Sequence, residues 1–156
     1  MRNLLTKVFL VLALTTIAAF GADNSLGTWK LDMEKSHYTP EPMPVKSLTV
    51  TREASDGGVK VTITGELADG TPINASYTAK YDGKDVQVTG NAPYDTIWIK
   101  QKNANRLTDE RKKTGGSYHG TGRTVIWNGG KTMTTTTKGI NADGKEMIST
   151  FVFDKQ

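Results

Sequence analysis

The chain has 156 residues, a formal net charge of +4 and no cysteine. Without cysteine it cannot form a disulfide framework, a thiolate zinc site or a thiol nucleophile. Its basic residues are scattered among acidic ones, apart from Arg111-Lys112-Lys113, which we interpret as a solvated strand end. This pattern excludes the basic stripe of a nucleic-acid-binding protein and gives no support to a membrane-surface role.

Residues 1–21 have the features of a secretory signal peptide. Arg2 and Lys7 form a basic start, an apolar run extends from Val8 to Phe20, and Ala19-Phe20-Gly21 fits a cleavage site before Ala22. The apolar run is too short to span a bilayer comfortably, although an uncleaved anchor helix is the alternative. We expect the leader to be removed and the protein to be periplasmic or extracellular, without stable membrane insertion afterwards.

Residues 22–156 then form a single domain. Loss of the leader lowers the formal net charge to about +2, and roughly 135 residues are enough to bury a hydrophobic core. From Lys46 onward apolar and polar residues alternate with a period of two, and glycine-rich turns interrupt them at short intervals. This pattern is typical of antiparallel strands. The predicted strands are 26–32, 46–53, 59–66, 73–81, 86–89, 95–102, 106–112, 118–127, 131–138 and 146–154.

Short connections between nearly all of these strands favour an up-and-down meander. A long meander avoids exposed sheet edges best by closing on itself. The predicted fold class is therefore all-β, a single antiparallel up-and-down meander closed into a barrel of about 8–10 strands. A Greek-key sandwich is the structural alternative.

One connection differs from the others, because Met33 to Val45 contains Pro40, Pro42 and Pro44. Proline lacks a backbone donor and restricts the residue before it, so regular structure is disfavoured in such a segment. We predict a surface loop, or a strap across the mouth of the barrel.

The inward face follows from the alternation along most strands. In 73–81 the odd positions are apolar, and the same reasoning turns residues such as Ile97, Ile99, Phe151 and Phe153 inward. The strand 118–127 is ambiguous. An inward even face would leave open volume at Gly120 and Gly122, whereas an inward odd face would bury His119, Arg123 and Trp127.

The first strand, Gly27-Thr28-Trp29-Lys30-Leu31, and the terminal strand Ser149 to Lys155 resemble those of the calycin group, the lipocalins and fatty-acid-binding proteins. The chain is more closely similar to uncharacterised small secreted bacterial proteins with a GTWKL start, in its Tyr81 to Asp85 hairpin and its Gly144-Lys145 turn. The resemblance implies a barrel that binds a small molecule or lipid.

The resemblance also implies that Trp29 seals one end of the barrel beneath a stacked arginine. Arg123 is the first candidate for that arginine and Arg106 the next. Fatty-acid-binding proteins hold a carboxylate with Arg-x-Tyr on the last strand, but this chain has Phe151 and Phe153 there. We therefore expect an apolar or neutral ligand, or none.

Catalytic, metal and cofactor sites are not predicted. His37 and His119 lack ligand spacing, no Gly-x-Ser-x-Gly motif is present, and Asp109 and Glu110 are adjacent, so on a strand they face opposite sides. An enzyme would need a convergent set of ionisable groups that the pattern does not display.

The leading hypothesis is an exported, monomeric, non-enzymatic, lipocalin-like barrel that binds a small apolar or neutral molecule. The candidate ligand-binding residues are Tyr77, Tyr81, Ile97, Ile99, Tyr118, Phe151 and Phe153. The alternative is a filled barrel that acts as an interaction module or inhibitor. It would use the loops Met33 to Val45 and Asn91 to Asp95 on an envelope protein, a glycan or a protease.

Overall fold

A computed structural model describes residues 21–156, so the predicted leader lies outside the described residues except for Gly21. Residues 21–156 include no helix that could cross a membrane. The strands are β1 (Gly27–Thr39), β2 (Val45–Ser55), β3 (Gly58–Leu67), β4 (Pro72–Lys80), β5 (Val86–Gln87), β6 (Thr89–Gly90), β7 (Thr96–Asn103), β8 (Arg106–Lys112), β9 (His119–Trp127), β10 (Thr132–Ile140) and β11 (Glu146–Lys155).

All eleven strands belong to one antiparallel sheet in the order β5-β7-β8-β9-β10-β11-β1-β2-β3-β4-β6. Pairing of β1 with β11 joins the two ends of the meander. The predicted strand 86–89 is divided, because β5 pairs with β7 whereas β6 pairs with β4. Residues 86–90 thus bridge the last gap, and the up-and-down barrel predicted from the sequence is confirmed as nearly closed.

Tight turns between the strands depend on residues that accept a positive φ. At the β9–β10 turn Asn128 has a φ of 53° and Gly129 a φ of 64°. Gly130 follows with a φ of 83°, so three consecutive residues between the paired Trp127 and Thr132 need positive φ, which explains why Asn-Gly-Gly stands there.

The proline-rich segment is shorter than the predicted loop. The prediction of a loop from Met33 to Val45 is wrong for residues 33–39, which belong to β1. The pairing of β1 with β11 shifts between Asp32 and His37, so a bulge interrupts the alternation that would have revealed the strand. Within this bulge the Ser36 hydroxyl donates to the Asp32 carbonyl (2.6 Å) and accepts from the Val152 amide (3.0 Å).

The base of the barrel is the end at which β1 begins. Residues 22–26 cross this end, and the Asn24 amide donates to the Ala104 carbonyl in the β7–β8 turn (2.9 Å). Trp29 is fully buried above this segment and its Nε1 donates to the Ser25 carbonyl (2.8 Å). The segment before the first strand therefore closes the base and fixes the indole.

The cation over Trp29 is not the predicted one. Lys155 Nζ lies 5.1 Å from the centroid of the Trp29 ring. Arg123 lies on the exposed face of β9, and Arg106 is exposed at the start of β8. The assignment of Arg123 as the barrel-end partner is wrong because the odd face of β9 points to solvent.

The ambiguity in the ninth strand is thereby resolved in favour of its even face. Gly120, Gly122, Thr124 and Ile126 are buried, whereas His119, Arg123 and Trp127 are exposed. The expectation of open volume at Gly122 is wrong, because the Asp109 carboxylate occupies the place that a side chain at this position would take.

Candidate ligand-binding site

The barrel encloses a cavity of about 450 Å³. Its wall is mostly apolar, and the side chains come from the inward faces of strands all around the barrel, for example Val50, Val61, Ile99, Leu107 and Phe153. Its rim lies at the end opposite the base and is formed by three connections, represented by Pro44, residues 91–93 and residues 141–143. Strand alternation therefore produces an apolar interior of small-molecule size.

The structure places five of the seven candidate residues on this cavity. Tyr77, Ile99, Tyr118, Phe151 and Phe153 line it. Tyr81 and Ile97 are not among the lining residues. The Tyr81 hydroxyl instead donates to the Asp23 carboxylate at the base, and Ile97 is packed within the core.

A buried ion pair that sequence analysis missed lies on the cavity wall. Arg111 Nε donates to Asp109 Oδ2 (2.8 Å) and Arg111 Nη2 to Oδ1 (3.3 Å), a two-pronged contact within β8. Both residues line the cavity, and Asp109 is only 5% exposed. The interpretation of Arg111 as part of a solvated strand end is wrong, because its side chain faces inward with Asp109.

A signal for this pair was present in the sequence. Leu107, Asp109 and Arg111 alternate along β8, and the register places Asp109 opposite Gly122 and Arg111 opposite Gly120. Gly122 provides the room that the Asp109 carboxylate needs, whereas Thr137, Met147 and Tyr118 fill the space over Gly120. Recognising it required the register of β8 on β9, which neither strand shows alone.

The Arg111 guanidinium is also in contact with aromatic rings. Its central carbon lies 5.4 Å from the centroid of the Tyr94 ring, which lies 5.7 Å from that of Tyr118. Burial is the largest single influence and lowers the pKa of Arg111, but the Asp109 carboxylate and the neighbouring tyrosines together hold this pKa well above the ordinary value. Arg111 is therefore a permanent cation that its neighbour neutralises.

Three tyrosines contribute neutral hydroxyls to the cavity wall. Burial raises the pKa of Tyr118 to about 12 and also raises the pKa of Tyr77 and Tyr94. They stay protonated near neutral pH, so each offers a donor and an acceptor to a polar group of a ligand.

A second arginine, Arg52 on β2, lines the cavity near the base and was also missed. It is 8% exposed, and its Nε donates to Ser25 Oγ (3.1 Å). Its Nη2 is buried and has no hydrogen-bond partner within residues 21–156. In the sequence Arg52 stands in an otherwise ordinary alternating strand beside Glu53, and it was not singled out.

Metal ligands do not converge in the described part of the chain. Residues 21–156 contain no group of three or more His, Asp or Glu side chains placed to hold a metal ion. His119 is exposed on the outer face, where its Nε2 lies 3.5 Å from Glu110 Oε1.

Comparisons with known proteins give no family assignment. No protein-family model matches the chain, and no curated protein matches it. The architecture, a nearly closed all-β antiparallel barrel, is compatible with a calycin-like fold.

Proposed function

We propose that the protein is an exported, monomeric, non-enzymatic, lipocalin-like barrel that binds a small, largely apolar molecule. The cavity of about 450 Å³ carries this proposal. Small-molecule sites are concave, mostly apolar and about 300–1,000 Å³ in volume. The export part rests on the sequence of residues 1–21 alone.

The composition of the wall supports an apolar ligand with a polar end. Side chains such as Leu48, Ile63 and Phe151 supply apolar surface, whose burial contributes about 25 cal/mol for each Å² removed from water. The wall also carries a few polar groups at fixed positions, namely Arg52, the Asp109–Arg111 pair and the tyrosine hydroxyls. Such groups orient a ligand more than they attract it.

The open interior favours this function over the filled-barrel interaction module. That alternative calls for tight internal packing together with an apolar patch at the loops. Among residues 21–156 the exposed large apolar side chains are Met33, Trp127 and Ile148, and all three lie on strands. They are single residues, as on ordinary protein surfaces.

The first test is a fluorescence titration of the exported protein with N-phenyl-1-naphthylamine, a neutral apolar probe. The intact mass is measured beforehand, and a chain that begins at Ala22 is expected. We expect saturable binding of one probe per chain. Ser149→Trp should weaken binding about tenfold or more, because Ser149 lines the cavity and an indole would fill part of it.

Ile148→Trp is the matched control, since Ile148 is the neighbouring residue on the same strand and is 49% exposed. It should leave the probe affinity unchanged. Absence of saturable binding, or equal losses in the two variants, would contradict a ligand site inside the barrel.

A further inference from the structure

Arg52 has fewer acceptors than a buried guanidinium needs. Within residues 21–156 it forms no ion pair, Ser25 Oγ is the acceptor for Nε, and Nη2 is buried without an acceptor. A buried charge is costly unless it is paired and hydrogen-bonded. The described residues therefore supply no hydrogen-bond acceptor for Nη2 of Arg52.

The nearest acidic residue in this network is already engaged. Asp23 accepts from the Ser25 hydroxyl (2.6 Å), which in turn accepts from Arg52 Nε. The other Asp23 oxygen accepts from the Tyr81 hydroxyl. Asp23 therefore makes no direct hydrogen bond to Arg52 and is joined to it through the Ser25 hydroxyl.

No other charged residue that lines the cavity in the described chain pairs with Arg52. Arg111 and Asp109 neutralise each other through two hydrogen bonds. Asp143 is the other charged lining residue, and it is exposed at the rim, in the β10–β11 connection at the far end from Arg52. Among the charged lining residues of the described chain, Arg52 is thus a cation close to the base without a carboxylate in direct contact.

We propose that the ligand is an apolar molecule with a single carboxylate, and that this carboxylate is held by Arg52 at the base of the cavity. The inference rests on the proposed function and gives the chemical class of the ligand. One guanidinium neutralises one negative charge and offers its donors in a fork that matches a carboxylate. This anchor on β2 replaces the expectation of a neutral ligand, which considered only the last strand.

The register supplies a second group for the same carboxylate. Arg52 pairs with Val61 on β3, and Val61 pairs with Tyr77 on β4. Tyr77 lines the cavity, and burial keeps its hydroxyl protonated by raising its pKa. Above this layer Val50 and Ile63 line the wall, so the apolar body of the ligand would extend from the base toward the rim.

The test is competition against bound N-phenyl-1-naphthylamine by decanoate, 1-decanol and decylamine, which share one chain length. At about pH 8 decanoate is ionised and decylamine is protonated. We expect the wild-type protein to bind decanoate about tenfold more tightly than decanol, and decylamine most weakly. Arg52→Met should abolish the preference for decanoate while decanol affinity stays within about threefold.

Arg123→Met is the matched control, because it removes the same charge from the exposed face of β9. It should preserve the preference for decanoate. Arg52→Lys, which retains the charge and loses the fork, should preserve part of it. If Arg52→Met does not fold, the ratio of decanoate to decanol affinity is compared between the wild type and Arg52→Lys, and this comparison tests the proposal.

Equal binding of decanoate and decanol by the wild type would contradict the proposal that the ligand carries a carboxylate, but it would be consistent with an apolar binding site. A preference for decanoate that survives Arg52→Met would place the anchor elsewhere and overturn the role of Arg52. No binding of the probe or of any decyl compound would instead reject the proposed function. A crystal structure with decanoate in which only water contacts Arg52 would also overturn the inference.

Discussion

At the scale of single residues, the Asp109–Arg111 pair is the main polar interruption of the apolar wall. Each partner offsets the desolvation cost of the other, because either charge alone would lie unpaired in surroundings of low polarity. The glycine at position 122 is part of the arrangement, because the Asp109 carboxylate lies directly over its backbone. Three residues on two strands therefore act as one unit.

Replacing one partner of this pair should lower the free energy of unfolding more than replacing both partners with apolar residues. Asp109→Asn leaves Arg111 charged and unpaired, so we expect the free energy of unfolding to fall by about 3–5 kcal/mol. The double variant Asp109→Leu with Arg111→Met should recover most of this loss, because no buried charge remains. Urea denaturation measures both changes.

Glu110→Gln serves as the control for that pair, since Glu110 lies on the outer face and contacts the exposed side chains of Lys112 and His119. Its effect should stay within about 0.5 kcal/mol. A double variant that is as unstable as Asp109→Asn would show that the pair stabilises the barrel by more than mutual neutralisation.

At the scale of elements, the segment 22–26 and the first strand work together at the base. The indole of Trp29 is fully buried and bonded to the Ser25 carbonyl, but Trp29 does not line the cavity. It is therefore a closing element, separate from the surface that a ligand would touch.

Trp29→Phe should lower the free energy of unfolding by about 2 kcal/mol, through a lost hydrogen bond and a small cavity. The affinity for N-phenyl-1-naphthylamine should change less than about twofold, which separates stability from binding in one variant. Trp127→Phe is the control, because Trp127 is 52% exposed and its loss should cost less than about 0.5 kcal/mol. Loss of probe binding with unchanged stability would show that Trp29 belongs to the binding site.

The strands were predictable because local alternation and turn residues determine them. Predicted segments such as 106–112 and 146–154 agree with β8 and β11 to within a residue. The failures occurred where a long-range contact overrides the local pattern. Bonding of Ser36 to Val152 shapes the bulge in β1, and the division of residues 86–90 depends on which neighbour each half meets.

The candidate site was only partly predictable for the same reason. Apolar lining residues such as Tyr77 and Phe153 follow from alternation along their own strands. Arg52 and the Asp109–Arg111 pair look like surface residues until the register is known. Their significance comes from Ser25 and Gly122, residues of other segments.

At the scale of the whole molecule, the three buried tyrosines and the partly buried Tyr81 make the protein less stable at alkaline pH. Burial raises the pKa of Tyr81 and Tyr118 to about 12, and it also raises the pKa of Tyr77 and Tyr94. In the unfolded chain these groups ionise near pH 10. Between about pH 10 and pH 12 the folded protein therefore holds more protons than the unfolded one.

Stability should consequently be retained below about pH 10 and fall as the pH rises toward 12. Tyrosinate absorbance of the folded protein should lag behind that of the urea-unfolded protein over this range. Tyr118→Phe, which removes one of these groups, should make the fall shallower. Coincident titration curves for folded and unfolded protein would contradict the burial of the four rings.

The pairing of β1 with β11 joins the most distant parts of the described chain. Trp29 is paired with Lys155, so the ring closes only when segments more than a hundred residues apart in sequence meet. Contacts this distant carry a loop-closure cost before they bring any gain, and they slow folding. During synthesis from the amino end, β1 has β2 on one side while its other edge waits for the final strand. The cavity wall is therefore continuous only once β11 has paired with β1, so a ligand meets a complete site only after that long-range contact has formed.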